Sequence, residues 1–136
     1  MECDAGYCAT LDELLEISDV VSLHCPLTEQ TRNLIDATAL SKMKPSAVLI
    51  NTARGAVVDE VALSDALIQG KIAGAGLDVF VSEPVVGEHL TSLDNVLLSP
   101  HVGTATTETR DEMGLRVIEN IKTFLSTGQP HDRVER

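Results

Sequence analysis

Short β-branched runs alternate with segments of helical period along this chain, and that alternation limits the fold more than any other feature. Thr10-Leu11-Asp12-Glu13 has capping-box spacing and predicts a short helix to about residue 18. Residues 19–24 read as a strand, stopped by Cys25-Pro26. Asp36 is placed to cap a helix to about residue 43, and Lys44-Pro45-Ser46 turns the chain into a strand over 47–51. Asp59 predicts a helix over 60–69, ended by Gly70. Strands follow over about 72–80 and 95–99. A long helix spans about 106–127, with Met113, Val117, Ile121 and Phe124 at helical spacing and Gly128 and Pro130 at its end. Strands apolar on both faces and joined by crossovers argue for a parallel sheet with strands side by side in chain order. The expected fold is α/β, with about four parallel strands, flanking helices and a long C-terminal helix.

Composition removes several classes of partner. The chain has 136 residues, which suits one domain, and 43% of them are hydrophobic. It carries no Trp, one Tyr and two Phe, too few aromatics to stack exposed bases. Its formal charge of −11 repels phosphate backbones and anionic lipid surfaces, so neither nucleic acid nor membrane is an expected partner. No apolar run approaches the roughly 20 residues that span a bilayer. Cys3, Cys8 and Cys25 lack zinc-site spacing and read as free thiols of a reducing cytoplasm. No metal site is expected.

In open parallel sheets, ligands sit beyond the carboxyl ends of the strands. Arg54 follows the second strand, Glu83 the third and His101 the fourth, so a cation, a carboxylate and an imidazole are expected on one rim. These suit the reduction of a keto acid, which needs a hydride donor, a proton donor for the developing alkoxide and a cation for the carboxylate. An imidazole titrates near neutrality and is the natural proton donor. A carboxylate beside it favours the imidazolium form and fixes the ring. The planar guanidinium fork can hold carboxylate and carbonyl oxygens together.

Other candidates read as structural. His24 has no second ligand at metal spacing, and His89 and His131 lie in a loop and in the tail. Cys25 has no base to activate it and reads as a small residue lining the site. Gly74-Ala75-Gly76 lacks the third glycine of a dinucleotide fingerprint and opens a strand, where close packing is its expected use.

Four stretches resemble the D-isomer-specific 2-hydroxyacid dehydrogenases: HCPLTEQTRNLID (24–36), LINTARGAVVDE (49–60), GKIAGAGLDVFVSEP (70–84) and NVLLSPHVGTAT (95–106). The resemblance runs over about residues 10–128, leaving 129–136 as a tail. It implies one partial nucleotide-binding domain over 1–136, of the doubly wound Rossmann-like kind. It also implies that Arg54 binds the substrate carboxylate, Glu83 partners the histidine and His101 exchanges the proton. Asp78 would accept from the nicotinamide carboxamide, and Pro26, Thr31, Thr52, Ala53 and Gly103 would line the cofactor, NAD or NADP with NAD favoured. Formate dehydrogenases of the superfamily place Gln where Glu83 stands, which disfavours that branch. PHVGTATTETR is similar to the glyoxylate and hydroxypyruvate reductase branch more than to the phosphoglycerate dehydrogenases. The implied partner is a small 2-keto or 2-hydroxy acid, and the implied full-length form a homodimer.

A corepressor-like binding module that keeps the same three residues is the alternative, and the eight-residue tail favours the enzyme. The family's G-x-G-x-x-G turn, with its strand, helix and ribose-selecting acid, would precede residue 1. The first phosphate-binding βαβ half is therefore expected to be absent, the 136-residue chain alone to bind dinucleotide weakly and turn over no substrate, and strand 19–24 to be an exposed edge.

Overall fold

The computed structural model describes residues 5–134. Four strands, β1 (Val20–Leu23), β2 (Val48–Asn51), β3 (Gly74–Leu77) and β4 (Val96–Leu98), form one parallel sheet in the order β1-β2-β3-β4. The helices are α1 (Leu11–Ile17), α2 (Ala37–Lys42), α3 (Glu60–Ile68), α4 (Glu88–Thr91) and α5 (Thr107–Thr127), with a 3-10 turn at Gly55–Val57. The fold is the expected α/β one.

Local chemistry starts α1, α2 and α3 where the sequence indicated. The Thr10 hydroxyl accepts from Glu13 N at 3.2 Å, while Glu13 Oε2 accepts from Ala9 N, one residue ahead of the usual capping-box target. Asp36 accepts from Ala39 N, and Asp59 from both Val61 N and Ala62 N. The glycine after α5, Gly128, has φ 77°, and its N–H returns to Phe124 O.

The register places Val21, Leu49 and Ala75 in one row and Ser22, Ile50 and Gly76 in the next. The first row is buried, whereas Ser22 is exposed and Ile50 half-buried. The strands are therefore not buried on both faces, as their apolar runs suggested. With strands in chain order and right-handed crossovers, α2, α3 and α4 all fall on the same side. There α1 packs on α2, α2 on α3 and α3 on α4. Leu15, Ile35, Leu40, Leu49, Leu63, Ile72 and Leu90 are fully buried in this core. Each such side chain stabilises the fold by about 1.5–3 kcal/mol. Truncating the central one, Leu49→Ala, would cost about 2–5 kcal/mol.

The third strand is shorter than the expected 72–80. Its ladder partner β4 pairs only with Ala75–Leu77, and beyond Asp78 the amides turn to side chains instead of a neighbouring strand. β1 lies at an edge of the sheet, as expected, with Val20 exposed.

The chain divides into two compact units, Met1–His101 and Val102–Arg136. The first holds the sheet with α1 to α4. The second is built on α5, no residue of which is buried. Its C-terminal segment returns to the helix through Asp132, which accepts from Arg116 Nε and Nη2 at 2.5 Å each and from Asn120 Nδ2 at 2.8 Å. No helix among the described residues is long and apolar enough to cross a membrane. Cys8 and Cys25 are free thiols, and Cys3 lies outside the described residues.

Candidate active site

Parallel pairing brings the carboxyl ends of all four strands to one rim, and the site is built from the connections that leave it. The connection after β2 is held by Asn51, whose side chain is almost wholly buried. Asn51 Nδ2 donates to Arg54 O at 3.0 Å, and Asn51 Oδ1 accepts from Ala53 N at 3.1 Å. One amide group thus fixes both arms of the Thr52–Arg54 turn. The Asn51 carbonyl accepts from Asp78 N at 3.0 Å, which ties this turn to the end of β3. The Arg54 head group is exposed, with Nη1 donating to Ala53 O at 2.6 Å.

Gly55 then passes under the connection after β3. A Cβ at Gly55 would lie within 2.5 Å of Phe80 C, Phe80 O and Val81 N, so only glycine lets these backbones meet. A parallel bridge between Ile35 and Val58 braces the same turn from the other side.

Glu83 divides its carboxylate. Oε1 accepts from Phe80 N at 2.9 Å and Oε2 lies 2.8 Å from His101 Nδ1. The His101 bond, followed by the Phe80 amide, holds the Glu83 carboxyl below its ordinary pKa, and the charge of Arg54 adds to this. His101 has φ 55°, a left-handed conformation that costs a residue with a side chain energy. Such strain is retained where the surroundings over-determine it, commonly at functional sites. The imidazole and the carboxylate are partly exposed, at 48% and 35% for their side chains.

Arg54, Glu83 and His101 all line one cavity of about 370 Å³, with Leu27, Gly55 and Phe80. A neighbouring cleft of about 600 Å³ is lined by residues 24–27 and 52–54, which include Pro26, Thr52 and Ala53. Its volume lies in the ordinary range for ligand clefts. Cys25 lines it as a half-buried thiol. His24 also lines it, with Nε2 at 2.8 Å from Ser22 Oγ.

Thr31 lies outside that lining. Its hydroxyl donates to Pro26 O at 2.6 Å and also exchanges bonds with Thr28, so it shapes the Pro26 loop from behind. Asp78 is buried at the end of β3. Gly103 belongs to the second unit, Val102–Arg136. Among the described residues, no group of three His, Cys, Asp or Glu side chains is placed to hold a metal ion.

Two residues that shape the site escaped the sequence reading. Asn51 stands inside the quoted stretch 49–60, where a polar residue ending a buried strand was the signal. Glu60 reads from sequence as a first-turn acid of α3, yet its Oε1 accepts from Val81 N at 2.7 Å, 21 residues away.

Residues 2–103 match the family described as D-isomer specific 2-hydroxyacid dehydrogenase, NAD binding domain. The chain belongs to this family. Among 2-hydroxyacid dehydrogenases, it is 50% identical over 135 residues to the glyoxylate reductase of Thermococcus litoralis, covering 99% of this chain and 40% of that protein. It is 49% identical over 118 residues to glyoxylate reductase 1 of Saccharomyces cerevisiae, covering 87% of this chain and 34% of that protein. A solved NADPH-dependent glyoxylate/hydroxypyruvate reductase from Sinorhizobium meliloti, in complex with NADP and malonate, superimposes with a TM-score of 0.92. The two are 43% identical, and the match covers 98% of this chain and 43% of that one. The chain therefore spans about two fifths of the length of these 2-hydroxyacid dehydrogenases.

Proposed function

We propose that this chain forms the proton-transferring and carboxylate-binding part of a reductase of small 2-keto acids, with glyoxylate and hydroxypyruvate as substrates and NAD or NADP as the hydride carrier. The observation that carries this reading is the 2.8 Å contact of His101 Nδ1 with Glu83 Oε2, in a cavity that Arg54 also lines. With Nδ1 engaged, Nε2 is the ring atom that exchanges a proton with substrate. The Arg54 guanidinium binds the substrate carboxylate and sets the carbonyl oxygen toward His101.

The dihydronicotinamide, when bound, supplies the hydride. His101 gives its proton to the carbonyl oxygen as the carbonyl carbon gains the hydride, leaving a 2-hydroxy acid and a neutral imidazole. Glu83 fixes the ring through Nδ1. In this reading Pro26, Thr52 and Ala53 line the nicotinamide end of the cofactor. Thr31 supports Pro26, and Asp78 accepts from the carboxamide. The names of the relatives support the substrate, since the proteins of Thermococcus litoralis and Saccharomyces cerevisiae are called glyoxylate reductases. The malonate complex of the Sinorhizobium meliloti reductase supports a site for small carboxylates. A cytoplasmic protein, homodimeric in its full-length form, completes the proposal.

The test is a chimaera in which this chain replaces the matching segment of the Thermococcus litoralis reductase. Oxidation of NADH and NADPH with glyoxylate should be restored, and His101→Ala should lower kcat by about 10²–10⁴-fold. A folded chimaera that binds cofactor and turns over equally well with His101→Ala would overturn the assignment.

A further inference from the structure

The connection between β3 and α4 presents two successive backbone amides, and each is taken by a different carboxylate. Phe80 N donates to Glu83 Oε1 at 2.9 Å, and Val81 N donates to Glu60 Oε1 at 2.7 Å. Glu60 is free for this task because Asp59 already caps α3, accepting from Val61 N and Ala62 N. The end of α3 is itself anchored, since Glu60 follows directly on the turn braced by Ile35 and Val58. Glu60 therefore joins the Arg54 side of the site to the Glu83 side through one charge-assisted bond.

We propose that Glu60 is a positioning residue for the Glu83–His101 pair: by holding Val81 N, it orients the adjacent Phe80 amide on which Glu83 Oε1 rests. The proposal rests on the reading of that pair as the proton relay. The simpler role for an acid in the first turn of a helix is to complement the helix dipole. That role would leave Glu83 unaffected by the length of the Glu60 side chain.

Titration of the Glu83 carboxyl by carbon-13 NMR, on the full chain, separates these roles. Glu83 faces His101 and Arg54 as positive or chargeable groups and the Phe80 amide as a donor, with the Glu60 carboxylate on the next amide, Val81 N. Loss of positioning weakens the Phe80 bond and raises the Glu83 midpoint. Loss of the Glu60 charge alone lowers it, because a like charge is removed. Glu60→Ala should raise the midpoint by about half a unit or more, and Glu60→Gln, which keeps an acceptor oxygen, should not raise it.

Glu60→Asp guards against a variant that fails to fold. It keeps the charge and the helix dipole interaction, but its shorter side chain no longer reaches Val81, so it should raise the midpoint as alanine does. A Glu83 midpoint unchanged or lowered in both Glu60→Ala and Glu60→Asp would overturn the proposal. The titration needs no turnover, so that outcome would strike Glu60 alone. A chimaera indifferent to His101→Ala would strike the proton relay.

Discussion

Gly55 and Phe80 meet backbone to backbone, so closely that a Cβ on Gly55 would stand 2.0 Å from the Phe80 carbonyl carbon. This contact joins the turn that carries Arg54 to the turn that carries Glu83. The obstructing atoms are backbone, which cannot swing aside as the end of a side chain does. Gly55→Ala should therefore destabilise the fold by about 1–3 kcal/mol, as overpacking does, measured by urea unfolding. In the chimaera the same change should also weaken carboxylate binding. An alanine variant with unchanged stability would mean the turns can part at no cost.

Asn51 gives a second prediction. Asn51→Ala strips the partners from Ala53 N and Arg54 O and should cost about 1–3 kcal/mol in chemical denaturation. Asn51→Asp keeps an acceptor for Ala53 N but sets a carboxylate against the Arg54 carbonyl. It should be at least as damaging as alanine. If aspartate were fully tolerated, the bond to the Arg54 carbonyl would not be holding the turn.

Acid sensitivity should trace to Glu83. Its carboxyl is held below the ordinary value of 4.5 in the folded chain, first by the His101 bond and then by the Phe80 amide. A folded value below the unfolded one gives stability that is complete above about pH 4.5 and is lost as pH falls through the folded value. Glu83→Gln should lose less stability than the parent over that acidic interval. Parallel urea midpoints at several pH values would test this, and identical slopes for the two proteins would contradict it.

The second unit has its own acid-labile contact. Arg116, then Asn120, hold the Asp132 carboxyl at about 2, down from 3.8. The folded value is again the lower one, so the clamp is intact above 3.8 and opens as pH falls toward 2. Asp132 N donates to Asn120 Oδ1 at 2.8 Å, and the protection of this amide relative to its intrinsic exchange rate should fall over that interval. Arg116→Ala should release the same amide at neutral pH. Slow exchange persisting in that variant would show that the segment is held by other means.

Much of this architecture is legible in the residues, for a local reason. Thr10, Asp36, Asp59 and Thr106 cap their helices through amides two or three residues ahead, so neighbouring residues announce each boundary. The same holds for Gly128, which closes α5 in a left-handed conformation. The 3-10 turn at Gly55–Val57 and the four-residue α4 have no side-chain cap, and nothing in their sequence marks them. The third strand reads from sequence as longer than it is because Val79 and Phe80 continue its apolar run, although neither is in the ladder. Both are buried, but the Phe80 and Val81 amides go to side chains instead of a neighbouring strand. Arg54, Glu83 and His101 could be assigned to one rim because each follows a parallel strand. The bond between Glu60 and Val81, and the left-handed backbone of His101, depend on contacts between distant segments and leave no short-range trace.

The parallel ladder of β1, β2, β3 and β4 works as a fixed scale for the connections at its end. Neighbouring strands stand about 4.8 Å apart, so the connections that bear Arg54, Glu83 and His101 emerge at even intervals. Those connections can exchange residues while the hydrogen-bonded strands keep the interval constant. Change at the rim thus leaves the spacing of its supports untouched.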